Sequence, residues 1–235
     1  MSRPVLLLLG SPRLERDGEP VEVDTRKAIA LVAYLAVAQG RHTRDALATL
    51  LWPEYDQARA RAALRRTLSA LGEARAEGWL EVDRESVGLK REELWVDVDR
   101  FHGRLAECRT HGHSEADVCP ECLPLLTEAA TLYRDGFLAG FTLRDSSNFD
   151  EWQFFQAESL RRELAGALER LVRAHGARGE WEPAIAYARR WLGTSPSGAG
   201  DRGRSLLPWI AVYLASIFIH EVGHAFASTH FGQEL

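Results

Sequence analysis

The sequence predicts a mainly α-helical protein with a small β component. Stretches rich in Ala, Leu and Arg recur at helical spacing, as in "QARARAALRRTLSALGEARA" and "FDEWQFFQAESLRRELAGALERLVRAHGARGEW". Short apolar runs bounded by turn residues occur near the N-terminus and around residues 78–90. A further apolar run from Ser205 to Phe218 carries no charge and reads as a C-terminal apolar helix. A chain of 235 residues has room for one large or two small cores.

The elements follow in order. "PVLLLL" opens the chain, and "RLERDGEPVEV" follows, whose Asp17-Gly18 is a hairpin turn between short strands. "TRKAIALVAYLAVAQG" is a helix capped by Thr25 and stopped at Gly40. "RHTRDALATLLWP" is a shorter helix, capped by Thr43 and ended by Pro53. The arginine-bearing third helix comes next, and "GWLEVDRESVGLK" supplies two strands around a charged turn. Strands, two helices, a long basic helix and a hairpin together make a winged helix-turn-helix, assigned to residues 1–99.

On a helical wheel centred at Leu64, Ala60, Leu68 and Leu71 form a core stripe within about 40°. Arg59, Arg65, Arg66 and Ser69 fan over the far side, with Arg61 at the border. Such a cationic face suits DNA, because the guanidinium fork holds a phosphate or a guanine edge with two hydrogen bonds. Arg26, Lys27, Arg41, Arg44 and Arg84 at the hairpin turn are expected to hold phosphates. The net charge of -5 does not oppose this, since a partner feels the local patch.

"DGEPVEV", "RKAIALVAYLA", "LWP" and "RARAALRRTLSAL" in that order resemble the OmpR/PhoB-type winged helix, in the form found in the Streptomyces antibiotic regulatory protein (SARP) class of bacterial activators. The resemblance continues through "VDVDRF", "LLTEAATLYRDGFLAGF" and "FDEWQFFQAESLRRELAGALERLVRAHGARGEWEPAIAYARRWL". That region, residues 100–192, resembles the bacterial transcriptional activator domain, a helical domain related to tetratricopeptide (TPR) repeats. The resemblance implies a DNA-binding transcriptional activator whose partners are double-stranded DNA, the transcription machinery and a second copy in a homodimer. Trp152, Phe154, Phe155 and Trp181 are expected in the core of the helical domain.

All three cysteines fall in "CRTHGHSEADVCPEC", over residues 108–122. Cys108, His111, His113, Cys119 and Cys122 are five candidate ligands for a structural zinc ion with four places. Pairing by spacing favours Cys108 with His111 and Cys119 with Cys122.

"GTSPSGAGDRGR", residues 193–204, reads as a linker. Residues 205–235 follow as a transmembrane helix, apolar over 205–228, with Arg202 and Arg204 before it. No N-terminal signal peptide is recognised, so the expected location is the cytoplasm, with anchoring to the inner membrane by this helix. His220, Glu221 and His224 form a His-Glu-x-x-His motif: two zinc ligands one turn apart and a catalytic base. "HEVGHAFA" resembles the first motif of the site-2 protease family of intramembrane metallopeptidases, which makes a truncated peptidase fusion the alternative reading. That family's third ligand, an aspartate of a later membrane helix, has no counterpart here. The chain is therefore read as a regulator and not as an enzyme.

Overall fold

The computed structural model describes residues 3–21, 23, 25–72, 78–114 and 118–194. The linker beyond Thr194, the apolar segment 205–228 and the His220, Glu221, His224 motif lie outside the described residues. Among the described residues no helix is long and apolar enough to cross a membrane.

The chain opens with β1 (Val5–Leu7), β2 (Arg13–Arg16) and β3 (Glu19–Pro20), an antiparallel meander. Asp17 and Gly18 turn β2 into β3 with φ of 52° and 84°. Both lie in the left-handed region, which a two-residue hairpin requires and which Asp-Gly adopts at low cost.

α1 (Arg26–Ala38) is capped by Thr25, whose hydroxyl accepts from the Ala28 N–H at 3.1 Å. β4 (His42–Thr43) leads into α2 (Arg44–Leu51), where Thr43 accepts from Ala46 N–H at 3.2 Å. α3 (Gln57–Ala70) is capped by Asp56, which accepts from Arg59 N–H at 2.9 Å. β5 (Leu80–Val82) and β6 (Ser86–Leu89) form the wing, and β4 pairs with β6 to complete a three-stranded sheet. These elements make the winged helix-turn-helix.

β7 (Trp95–Val96) then returns to pair in parallel with β1, giving the order β3-β2-β1-β7. Two residues carry no strand periodicity, so this pairing has no local signature. α4 (Asp97–Arg109) follows directly, so an edge at residues 99 and 100 falls inside a helix.

The helical half contains α4, α5 (Cys122–Leu132), α6 (Ser147–Ala177) and α7 (Trp181–Thr194). α4 and α5 form an antiparallel hairpin. Cys108 and Cys122 meet at its closed end, and Asp97 meets Arg134, just past α5, at the other. Phe101 packs on Tyr133 between them, 5.9 Å centroid to centroid.

Residues 3–192 share one continuous core, because the winged helix and the helical half interlock. Leu8 and Leu9 accept from the N–H groups of Leu138 and Arg134 and donate to the Asp97 carboxylate. Ser146 donates to Leu50 O at 2.7 Å, and Tyr34 packs edge-on against Trp152 at 5.0 Å.

The aromatic cluster departs from expectation. Trp152 is half-buried between Tyr34, Phe137 and Phe149, but Phe154 (61%), Phe155 (59%) and Trp181 (49%) are exposed. The buried stripe of α6 runs through Phe149, Leu160, Leu164, Leu168 and Leu171. Phe154 and Phe155 stand about 140° and 120° from Phe149 on that helix, facing away from the aromatic cluster around it.

Candidate nucleic-acid interface and cysteine–histidine cluster

α3 presents its apolar side inward, with Ala60, Ala63, Leu64, Thr67 and Leu68 buried. Arg59, Arg61, Arg65, Arg66 and Ser69 are all exposed on the other side. Arg65 and Arg66 form no ion pair with any of the described residues. Arg59 lies near Tyr55, 6.0 Å from the ring centroid, with Nε 4.0 Å from Asp56. Arg84, at the wing turn, is also exposed.

Arg61 and three of the predicted phosphate contacts, Arg26, Lys27 and Arg41, are engaged within the molecule. Arg61 makes a two-pronged ion pair with Asp45 of α2 and holds that carboxyl below its ordinary value. Arg41 pairs with Glu81 at 2.6 Å and Asp83 at 2.5 Å, bracing the wing. Arg26 donates to Thr142 O at 2.8 Å and lies over Phe141. Lys27 donates to Leu51 O, pairs with Asp145 at 2.9 Å and keeps only 15% side-chain exposure. Arg26 and Lys27 thus join the winged helix to the helical half. Arg44 is half-buried, with its Nε enclosed and without a hydrogen-bond partner among the described residues, while its backbone N–H donates to Glu85 O. Helical periodicity places all these cations on the outside, but it carries no information about partners distant in sequence.

Asp83 shapes the wing tip. Its carboxylate accepts from the N–H groups of Ser86 at 2.7 Å and Glu85 at 2.8 Å, and these bonds lower its pKa to about 2.

The second constellation sits at the closed end of the α4–α5 hairpin. His111, His113, Cys119 and Cys122 bring four ligand atoms within 4.8 Å of one another. His111 Nδ1 is 3.2 Å from both Cys119 Sγ and Cys122 Sγ, and His113 Nε2 is 3.1 Å from Cys122 Sγ. Gly112, at φ 71°, reverses the chain so that the two flanking imidazoles converge. Cys122 N–H donates to Cys119 O at 3.1 Å, a tight turn that sets the two sulfurs side by side.

This grouping differs from the pairing read from spacing. Cys108 belongs to the buried face of α4, where its thiol reaches Cys122 O at 3.8 Å, and it stands outside the group of four. His113 lies within the group. Burial pushes the Cys119 and Cys122 thiols above the ordinary cysteine value.

Residues 96–198 match the family model of the bacterial transcriptional activator domain. That start coincides with β7 and α4. Among solved structures, the fold is similar to Mycobacterium tuberculosis EmbR in complex with a low-affinity phosphopeptide, with a TM-score of 0.53 and 20% identity. The similarity covers 85% of this chain and 62% of the EmbR chain, so this chain spans less than two thirds of EmbR's length. No curated protein matches the chain. The helical half thus matches the bacterial transcriptional activator domain, and it continues a winged helix in a fold shared with EmbR.

Proposed function

We propose that this protein is a sequence-specific DNA-binding transcriptional regulator, an activator of the SARP class. The observation that carries the reading is the outer face of α3, where Arg65 and Arg66 are exposed and unengaged by the described residues. α3 enters the major groove, Arg59 and Ser69 flank the reading face, and Arg84 of the wing grips a phosphate. The interlocked helical half holds this face rigid and supplies the surface for the transcription machinery or a second copy. Acting on the chromosome, such a regulator works in the cytoplasm, and neither the winged helix nor the helical array requires an enzymatic centre.

The test is a gel shift on a duplex that this protein selects from a random-sequence pool. The double variant Arg65→Ala, Arg66→Ala loses about 30-fold or more in affinity, from roughly 1–3 kcal/mol per guanidinium contact. Its log-log salt slope falls by about 2 if both residues meet phosphates and less if they read bases. Arg26→Ala binds within about threefold of the parent, because that side chain is committed to Thr142 and Phe141. Unaltered affinity of the double variant would overturn the assignment.

A further inference from the structure

We propose that His111, His113, Cys119 and Cys122 bind one zinc ion as a closed, structural Cys2His2 site, with Cys108 excluded from coordination. Three features support this. The first is donor geometry. Zinc–sulfur bonds of about 2.3 Å and zinc–nitrogen bonds of about 2.0 Å put the edges of a tetrahedron at about 3.5 Å. Three nitrogen–sulfur separations here are 3.1–3.2 Å, just under that edge, and all four donors lie within 4.8 Å of one another. Side-chain shifts of roughly 1 Å or less therefore seat an ion.

The second is the convergence of the backbone. The left-handed Gly112 and the Cys119–Cys122 turn aim two imidazoles and two thiols at one point from opposite ends of the loop. Without an ion that point would be held only by weak thiol–imidazole contacts. The third is position. The site closes the α4–α5 hairpin, whose loop sends only Val118 and Cys119 against the core among its described residues and whose open end is held by Asp97 and Arg134. A metal there ties the C-terminus of α4 to the N-terminus of α5 and adds its binding free energy to folding. Four protein ligands leave no position for water, so the ion braces the hairpin and performs no hydrolysis.

Full-length protein expressed with zinc and purified without chelator is analysed by plasma mass spectrometry and, after cobalt exchange, by visible spectroscopy. The expected result is one zinc per chain and a tetrahedral Co(II) spectrum with the thiolate charge-transfer intensity of two sulfurs. His113→Ala, a half-exposed change that leaves the core intact, lowers the retained metal to below about a tenth of an equivalent. Cys108→Ala keeps a full equivalent. Folded parent protein without stoichiometric metal would overturn the site. So would a three-sulfur cobalt spectrum, or metal lost in Cys108→Ala and kept in His113→Ala, since either restores the pairing read from spacing. DNA is absent from the measurement, so its outcome is independent of the regulatory reading.

Discussion

Asp97 is a carboxylate with no exposed surface, and its partners come from both halves of the protein. It accepts from Leu8 and Leu9 N–H at 2.9 Å at the end of β1, and from Arg134 at 2.9 Å beyond α5. Burial pushes its pKa up, against the opposing pull of the Leu9 and Leu8 N–H groups and of Arg134. Asp97→Asn keeps the shape but sets an amide N–H against one of these donors. The expected cost is about 2–4 kcal/mol, because buried donors lose a charged acceptor. Urea denaturation checks this, and a change below about 0.5 kcal/mol would show that the joint is held elsewhere. "VDVDRF" marks the start of the helical half in the sequence, but nothing in it reveals that one of its aspartates reaches back to Leu8.

The elements divide by how local their causes are. Thr25 and Thr43 cap α1 and α2 through their own third-following N–H groups, so the sequence names both helix starts. The α3 core stripe follows from spacing in the same way. The wing turn is local too, and it has a pH signature. Asp83 has a folded-state pKa of about 2 against an unfolded value of about 3.9. Its bonds to Ser86 and Glu85 therefore support the turn fully above the unfolded value and lose that support as pH falls through about 2. Carbon-detected NMR of the Asp83 carboxyl should show a midpoint near 2, with the Ser86 amide shifting in step. A midpoint at the ordinary aspartate value would mean that the turn is open in solution. β7 was illegible because a two-residue strand has no period, and only its neighbour β1 defines it.

The protein as a whole is less divisible than its sequence reads. Winged helix and helical array are separate patterns along the chain, yet Lys27, Tyr34, Leu50 and Leu8 are each engaged across the junction. Shared burial on this pattern leads us to expect that residues 3–192 unfold as a single cooperative unit. Urea curves followed by far-ultraviolet circular dichroism and by tryptophan fluorescence should coincide. Two resolved transitions would show that the halves fold independently. The sequence determined the starts of α1 and α2 with their caps, the hairpin turns, the cationic side of α3 and the five candidate donors of the cysteine–histidine loop. Each of these depends on residues within one or two turns of each other. Only tertiary structure decided which arginines the other described residues engage, that Cys108 lies outside the group of four close donors, and that Phe154 and Phe155 face outward. Those outcomes depend on which distant segments come to lie alongside, and periodicity along one chain segment does not encode that choice.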